Sequence, residues 1–235
     1  MKIKRKLKKV FTDSTFTDFK QESYSQTGED VIVKFIFDRL GIKAPTYIDI
    51  GAHHPFKLSN TALLYKTGSR GVNIEPDPDL FKSFLEYRKE DINVNLGIGD
   101  TNAELDFYVI SSPTLNTFSK KEAESYQTEG NYSIKEVKKI QVKTVNSVLE
   151  EYVNGKFPQF LNLDAEGIDD LIIKSIDYES NFPIVICVES ISFSTNGNGI
   201  KNSALIEYIV SKGYMVYADT YINTIFVREE LWRNK

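Results

Sequence analysis

The chain is poor in the residues that build disulfide or metal frameworks, with one cysteine and two histidines among 235 residues. Cys187 alone cannot form an intramolecular disulfide or a Cys-rich metal site, and it fits a reducing compartment. No apolar run approaches the roughly 20 residues that cross a bilayer, and no apolar segment follows the basic N-terminus as it would in a signal peptide. These absences predict a cytoplasmic protein.

Positive charge is concentrated at the N-terminus. Residues 1–9 hold six Lys or Arg and no acid, so a net charge of −4 for the chain becomes −10 for the remainder. Nucleic-acid binding needs a clustered basic surface, which this acidic body lacks, so we expect no nucleic-acid partner. Residues 2–10 have apolar side chains spaced for one helix face, which allows a weak peripheral contact with the inner membrane face. A basic helix packed on its own domain is the alternative.

Short apolar runs alternate with stretches of helical period, the pattern of a parallel sheet covered by helices on both faces. The predicted strands are residues 46–50, 71–75, 92–98, 160–164 and 183–189, with Tyr214–Asp219 and 224–228 as a final antiparallel pair. The predicted helices are residues 29–40, 59–66, 79–87, 167–176 and 202–212, with Asp79 and Asn202 as N-caps. The fold class is therefore α/β.

A long excursion separates the third and fourth central strands. Residues 101–152 contain two strand-like pieces, 104–110 and 137–144, around a polar loop. Long loops inside compact domains are usually functional, so Asn116, Thr117 and Phe118 are candidates for a lid or an acceptor-binding element. A merely solvated insertion is equally compatible with the pattern. We expect a basic segment at 1–24 and one domain at 25–235 with an insertion at about 101–152.

Acidic residues follow several of the predicted strands, whose carboxyl ends meet at one sheet edge. Asp49 and Gly51 end the first strand, where a glycine lets a ligand approach the backbone. Glu75 ends the second and can accept both hydroxyls of a ribose. No Gly-x-Gly-x-x-Gly follows the first strand, so the pyrophosphate cradle of a nicotinamide oxidoreductase is missing. The pattern favours a nucleoside-type cofactor without phosphates.

Asp164 and Glu189 end the fourth and fifth strands and bring further negative charge to the same cleft. Such charge is costly unless the acids share a proton, a metal ion or a ligand. Both histidines, His53 and His54, lie in the loop after the first strand, where a general base or a packing role is possible. Asp169, Asp170 and Asp177 are typical of helix starts or exposed faces and receive no role.

Several motifs occur together in one order. They are Tyr-Ile-Asp-Ile-Gly-Ala (47–52), Asn-Ile-Glu-Pro-Asp-Pro (73–78), Asp-Ile-Asn-Val-Asn (91–95), Phe-Leu-Asn-Leu-Asp-Ala-Glu-Gly (160–167) and Val-Glu (188–189). In this order they resemble the FkbM-type methyltransferases, which have the class I, S-adenosylmethionine-dependent fold. The run Ser25-Gln26-x-Gly28-Glu29-Asp30 and the triplet Ser59-Asn60-Thr61 are similar to a subgroup of that family. The chain departs from many members in having His54 or Pro55 where they have a second glycine.

The resemblance implies a Rossmann-like, mostly parallel seven-stranded sheet and methyl transfer from S-adenosylmethionine (SAM) to a hydroxyl of a sugar, glycan or other small acceptor. The resemblance also implies which residues bind the cofactor. In order from the methionine end through the ribose to the adenine and the closing segments, they are Asp49, Gly51, Ala52, Glu75, Pro76, Asn95, Gly97, Gln26, Asn60 and Asp164. The side chains from residues 101–152 and 196–199 would select the acceptor.

A sugar hydroxyl needs a general base or a metal ion that lowers its pKa. Asp164 and Glu189 occupy the strand ends from which catechol-type methyltransferases of this fold take acidic metal ligands, so they could hold Mg²⁺ or a similar hard cation. Without a metal, Asp164, Glu166, His53 and His54 are the base candidates. Two other classes stay open: a non-catalytic domain that binds a glycan or partner, and a nucleic-acid methyltransferase, although its Asn/Asp-Pro-Pro-Tyr-like motif is replaced here by Asp-Ala-Glu-Gly.

Overall fold

The computed structural model describes residues 20–165, 168–192 and 198–234. The strands of these residues are β1 (Tyr47–Ile50), β2 (Gly71–Ile74), β3 (Ile92–Val94), β4 (Gly97–Ile98), β5 (Ala103–Ile110), β6 (Ile134–Lys143), β7 (Phe160–Leu163), β8 (Val185–Glu189), β9 (Tyr214–Asp219) and β10 (Asn223–Arg228). The helices are α1 (Glu29–Arg39), α2 (Ala62–Lys66), α3 (Pro78–Tyr87), α4 (Lys120–Glu129), α5 (Val145–Val153), α6 (Asp169–Lys174), α7 (Ser203–Ser211) and α8 (Glu229–Arg233). Within this part of the chain, no helix combines the length and the apolar character needed to span a membrane.

Seven strands form the main sheet in the order β3-β2-β1-β7-β8-β10-β9. β10 is antiparallel to both of its neighbours, and the other pairs are parallel. The central strands β1 and β7 are buried along their whole length because helices cover both faces. This confirms the predicted α/β class, the mostly parallel seven-stranded sheet and the antiparallel final pair.

Two apolar clusters, one on each face, hold the sheet between its helices. On one face, Val33, Phe37 and Leu64 from α1 and α2 pack against Tyr47 and Phe160. On the other face, helices α5, α6 and α7 pack against the neighbouring strand positions, such as Ile48 and Leu161. Alternate residues of one strand therefore enter opposite cores, which is why these strands are apolar without interruption.

The predicted strand at 92–98 is wrong as a single element. Ile92–Val94 pairs with β2 in the main sheet, whereas Gly97–Ile98 pairs with β6 in a second sheet of order β4-β6-β5. The chain turns between them at Asn95, whose side-chain amide donates to the carbonyls of Glu75 and Pro76 at 2.8 and 3.0 Å. A polar side chain that bonds the neighbouring backbone thus interrupts the apolar run.

The helix-cap predictions had mixed outcomes. Asn202 caps α7, because its side chain accepts from the Leu205 amide at 3.1 Å. Asp79 is not the cap of α3: Asp77 accepts from the Asp79 amide at 2.9 Å, and Pro78 follows at the first helical position. Proline fits there because the first helical amide has no partner within the helix.

The excursion is more ordered than a polar loop. Its two predicted strands appear as the antiparallel pair of β5 and β6. Between them lies α4, which begins after Ser119, whose hydroxyl accepts from the Glu122 amide at 3.2 Å. The sequence pattern predicts neither α4 nor α5. α4 buries little beyond Ala123 and Tyr126, so no apolar stripe marks it in the sequence.

Candidate active site

A cavity of about 1180 Å³ opens at the carboxyl edge of the main sheet. Residues at the ends of β1, β2, β7 and β8 line it, together with the start of β10 and side chains from the excursion. Pockets for a single small ligand commonly measure about 300–1,000 Å³. The cavity is therefore large enough for a cofactor and an acceptor side by side.

The turn after β1 brings backbone, rather than side chains, to the cavity. Gly51 has φ +76°, and a Cβ at this position would overlap the carbonyl oxygen of Asp164. The amides of Gly51 and Ala52 both donate to the Ile74 carbonyl, at 3.1 and 3.0 Å, which fixes the turn against β2. Only glycine satisfies both the conformation and the close approach.

Asp49 lies beneath this turn and organises the cavity floor. Its carboxylate accepts from the Thr61 hydroxyl at 2.6 Å and from the Asn162 amide at 2.8 Å. Asn162 in turn accepts from the Asn60 amide at 2.9 Å. Burial raises the pKa of Asp49, and its two hydrogen bonds oppose that rise. Asp49, Asn60 and Asn162 are all buried and all line the cavity. One acid thus orients two amide side chains at the cavity floor.

Glu75 extends from the end of β2 to the loop after β1. Its two carboxylate oxygens accept from the amides of His53 and Asp77, each at 2.7 Å. Burial raises the pKa of Glu75 to about 8, although the two amide donors oppose the rise. Asn95 holds the backbone of this segment from behind and does not itself line the cavity, whereas Pro76 and Gly97 do.

A fully buried arginine fixes the same loop from the other side. The Arg88 guanidinium donates to Asp91 at 2.8 Å, to the Pro55 carbonyl at 3.0 Å and to the Tyr47 hydroxyl at 2.6 Å. It also lies 3.3 Å from the hydroxyl of Thr61, the residue that donates to Asp49. A buried cation is tolerated because every side of it is paired. Neither Arg88 nor Asp91 was singled out as a functional residue from the sequence.

Asp164 and Glu189 are brought together as predicted. Their carboxyl groups form a hydrogen bond with each other, and both residues line the cavity. The accessible surface of Asp164 is that of an exposed residue, although protein atoms lie on many sides of its carboxyl group. Desolvation raises the pKa of Asp164, the bond from Glu189 opposes this, and the nearby charge of Asp49 adds to the rise. A carboxyl pair that shares a proton is the expected arrangement for two acids in one cleft.

The two histidines differ in placement. His53 lines the cavity with φ +54°, and burial lowers its pKa. His54 is not among the residues that line the cavity, and its Nδ1 accepts from the amides of Phe56 and Lys57 at 3.1 and 3.0 Å. The structure therefore does not bring His54 to the place where a base would act. Gln26, by contrast, reaches the cavity from the segment before α1.

The excursion supplies an aromatic wall that sequence reasoning only partly anticipated. Asn116, Thr117 and Phe118 line the cavity, as do Phe107 and Tyr126, which were not singled out. The rings of Phe107 and Phe118 lie 4.8 Å apart. A Cβ on Gly97 would overlap the Phe118 ring. The glycine therefore allows the aromatic wall to pack close to the edge of the main sheet.

Some predicted site residues lie outside the described part of the chain. They are Glu166, one of the base candidates, and the first two residues of the 196–199 loop, of which Gly199 lines the cavity. Within the three described ranges, no group of three or more His, Cys, Asp and Glu side chains could hold a metal ion. Asp164 and Glu189 alone, already bonded to each other, do not make up such a set.

A mostly parallel seven-stranded sheet with one reversed strand, and a large cavity at its carboxyl edge, are the features of a class I, Rossmann-like methyltransferase fold. The sequence matches the family model described as the methyltransferase FkbM domain over residues 49–216. Since the match spans more than two thirds of the chain, the protein belongs to the FkbM methyltransferase family and is SAM-dependent, as the sequence motifs predicted.

The chain is similar to several solved structures at low sequence identity. The Escherichia coli protein yhhF, described as a methyltransferase, is 11% identical with a TM-score of 0.45, covering 88% of this chain and 89% of that one. An O-methyltransferase from Bacillus cereus in complex with SAH is 12% identical with a TM-score of 0.43, covering 94% and 88%. The precorrin-6y C5,15-methyltransferase from Geobacter metallireducens is 12% identical with a TM-score of 0.41, covering 84% and 87%. The comparison with curated protein sequences gave no match.

Proposed function

We propose that this methyltransferase transfers the methyl group of SAM to a hydroxyl of a sugar or glycan, in polysaccharide or natural-product biosynthesis. The observation that carries the proposal is the Asp164–Glu189 carboxyl pair, which has a raised Asp164 pKa and lies in a cavity with room for two ligands. A hydroxyl acceptor has to lose a proton, and the pair would supply the base that accepts it.

The cofactor half of the cavity is assigned to the ends of β1 and β2. Gly51 and Ala52 would lie against the methionine part, and Glu75 would accept from the ribose hydroxyls. Each carboxylate oxygen has about two acceptor positions, so Glu75 retains one on each oxygen after bonding the His53 and Asp77 amides. Gly97 with the Phe118 ring would border the adenine. Gln26 and Asn60 would complete the enclosure.

Bound SAM supplies an electrophilic methyl group, so the protein has to align the acceptor oxygen and remove one proton. Asp164, hydrogen-bonded to Glu189, takes that proton in our proposal. The carboxyl group of Glu189 holds Asp164 in place through this hydrogen bond, and the two acids share the proton. Asn60 and Asn162, oriented through Asp49, offer the polar contacts that a hydroxylated acceptor requires.

A divalent cation remains the alternative way to lower the acceptor pKa. The donor set described here fits such an ion poorly, because two carboxyl groups are paired with each other and no third ligand joins them in the described ranges. Methyl transfer that EDTA abolishes and Mg²⁺ restores would favour the metal version over the carboxyl pair.

Calorimetry with SAH, the demethylated product, tests the cofactor half. We expect wild type to bind and Glu75→Ala to bind about 20-fold more weakly. Equal affinity in the two proteins would remove the ribose assignment. Absence of binding by wild type would favour the non-catalytic, glycan-binding alternative.

Transfer of a ¹³C-methyl group from labelled SAM tests the reaction. The acceptors are a panel of methyl glycosides and total RNA, and NMR of the products distinguishes O-methyl from N-methyl groups. We expect label on glycoside oxygen, and a loss of at least ~100-fold in kcat for Asp164→Asn with SAH affinity retained. Label on RNA instead would favour the nucleic-acid alternative.

We also propose a cytoplasmic location, with the basic N-terminal segment as a weak membrane contact. Residues 2–10 lie outside the described residues, so this role stays a prediction that depends on their charge and apolar spacing. Sedimentation with anionic liposomes compares the full chain with one starting at residue 12. Identical partitioning of the two would count against the contact.

A further inference from the structure

The turn between β9 and β10 presents an aromatic residue at the cavity. Among the described residues, the non-glycine positions with positive φ are His53, Leu58, Asn154 and Tyr221. Asn154 caps the end of α5, where a left-handed residue is ordinary. The other three line the cavity. Tyr221, at φ +76°, has the bulkiest side chain of the four.

A left-handed conformation is unfavourable for a tyrosine and persists only when its surroundings impose it. The Tyr221 amide donates to Asp219 at 2.8 Å, and its carbonyl accepts from the Lys201 ammonium at 2.8 Å. Lys201 and Asp219 also form an ion pair at 2.8 Å. The three residues close a ring of bonds around the Tyr221 backbone, defined here as the Tyr221 clamp.

The clamp is fixed to the rest of the domain. Thr220, next to Tyr221, donates its hydroxyl to the buried carboxylate of Glu29 at 2.7 Å, and its amide donates to the Asn223 carbonyl at 2.9 Å. Asn223 lies directly opposite Glu189 in the sheet register. The aromatic residue therefore has a fixed position relative to the Asp164–Glu189 pair.

The surface around Tyr221 combines apolar and polar groups. Tyr221 is 55% exposed and Ile200 is 78% exposed, and both line the cavity. Ile200 precedes Lys201 in the chain, and Lys201 is hydrogen-bonded to the Tyr221 carbonyl. The carboxyl pair and Asn223 supply polar groups to the same cavity, and Asn223 lies opposite Glu189 in the sheet register. An aromatic face beside hydrogen-bonding groups suits a molecule with one apolar face and polar edges. A pyranose ring, with C–H groups on one face and hydroxyls at its rim, has this form.

We propose that Tyr221 is the stacking platform for a sugar ring of the acceptor, and that the Tyr221 clamp holds it there. The inference rests on the proposed function and specifies which residue recognises the acceptor. Tyrosine suits this task because it offers a large rigid surface at low entropic cost. It acts on acceptor affinity and specificity, and it does not take part in the proton transfer.

Saturation-transfer NMR tests the platform with four probes: methyl α-D-glucopyranoside, methyl α-D-galactopyranoside, methyl α-L-rhamnopyranoside and, as a planar non-sugar, phenol. We expect at least one glycoside to receive saturation on its ring C–H protons. Tyr221→Gly should weaken its binding about tenfold, whereas Tyr221→Phe should retain it. Lys201→Met, which opens the clamp but keeps the ring, should give an intermediate loss.

The variants also separate recognition from folding. Glycine fits a positive φ without strain, so Tyr221→Gly should melt within about 2 °C of wild type. Tyr87→Ala removes a tyrosine of similar exposure, 53%, outside the cavity and should leave glycoside binding unchanged. Unchanged glycoside affinity in Tyr221→Gly, or saturation of phenol alone, would overturn the proposal.

The glycoside titration is run with and without SAH. If wild type binds a glycoside through Tyr221 but does not bind SAH, the proposed function fails and the platform stands. If wild type binds SAH but none of the glycosides, the platform fails while the cofactor assignment stands.

Discussion

Glu29 and Glu75 are two buried glutamates in different regions, and their pKa values shift in opposite directions. Glu29 lies where α1 meets the β9–β10 turn, and Glu75 lies in the cavity. Burial alone would raise the pKa of Glu29, but hydrogen bonds from Thr27 and Thr220 lower it to about 2. Burial raises the pKa of Glu75 to about 8. Burial alone therefore does not decide in which direction the pKa of a buried glutamate shifts.

The difference comes from the groups around each carboxylate. Glu29 accepts from the amide and hydroxyl of Thr27, from Thr220 and from Asn223, so four donors surround it. Glu75 accepts from two amides and has the charges of Asp77 and Asp49 nearby, which raise its pKa further. A carboxylate with all acceptor positions filled stabilises the fold. One with positions left open is suited to a ligand.

Removal of Glu29 should have the largest effect. Glu29→Ala leaves several buried donors without an acceptor, so we expect a loss of about 3 kcal/mol in the free energy of unfolding. Asp38→Ala, on the same helix in an exposed pair with Lys34, should cost less than about 0.5 kcal/mol. Urea denaturation measures both. Equal losses in the two variants would contradict the structural role.

Acid should weaken the protein through Glu29. Its folded pKa is depressed, so its stabilisation is present above the unfolded value of 4.5 and is lost as pH falls through about 2. We expect this group to account for about 3 kcal/mol between pH 5 and pH 2. The measurement is the free energy of unfolding against pH in wild type and Glu29→Gln. A variant curve parallel to wild type over this range would contradict the assignment.

Removal of the Glu75 carboxylate should affect the ligand more than the fold. The expected 20-fold loss of SAH affinity in Glu75→Ala corresponds to about 1.8 kcal/mol. Asp77→Ala is the matched control, because Asp77 caps α3 close to Glu75 and is expected to affect stability more than affinity. A larger affinity loss in Asp77→Ala than in Glu75→Ala would contradict the contrast between the two glutamates.

Alkaline pH should strengthen nucleoside binding. Glu75 is largely protonated below about 8, and ribose hydroxyls prefer the ionised carboxylate, so affinity should rise about tenfold from pH 7 to pH 9. In the free protein the same raised pKa lowers stability as pH rises from 4.5 to 8, opposite in direction to Glu29. Calorimetry with 5′-methylthioadenosine, which lacks the titrating amino acid, measures the rise. Glu75→Gln should abolish it.

The parallel strands and the acids at their ends could be predicted because both follow from short-range patterns. Strands covered on both faces are apolar throughout, and the carboxyl ends of parallel strands share one edge. Asp49, Glu75, Asp164 and Glu189 therefore reach one cavity, as expected. The family resemblance added the order of the motifs and the identity of the cofactor.

The remainder of the site depends on contacts that leave no local pattern. Arg88 gives no sign in the sequence that it is buried, because its partners Tyr47 and Pro55 lie 41 and 33 residues away. Tyr221 has a left-handed backbone conformation, and its carbonyl accepts a hydrogen bond from Lys201, 20 residues earlier. The break of the predicted strand at Asn95 depends on carbonyls of the neighbouring segment. Such effects are tertiary and override local preference.

The buried Arg88 cluster has a consequence for the order of folding. Its guanidinium can lose water without penalty only after Tyr47, Pro55, Thr61, Asn73 and Asp91 have all arrived. We expect such contacts to form late in folding and to break early in unfolding, so their free energy should slow unfolding more than it speeds folding. The hydrogen bonds that hold the loop on the cofactor side of the sheet would then raise the barrier to unfolding of the whole domain.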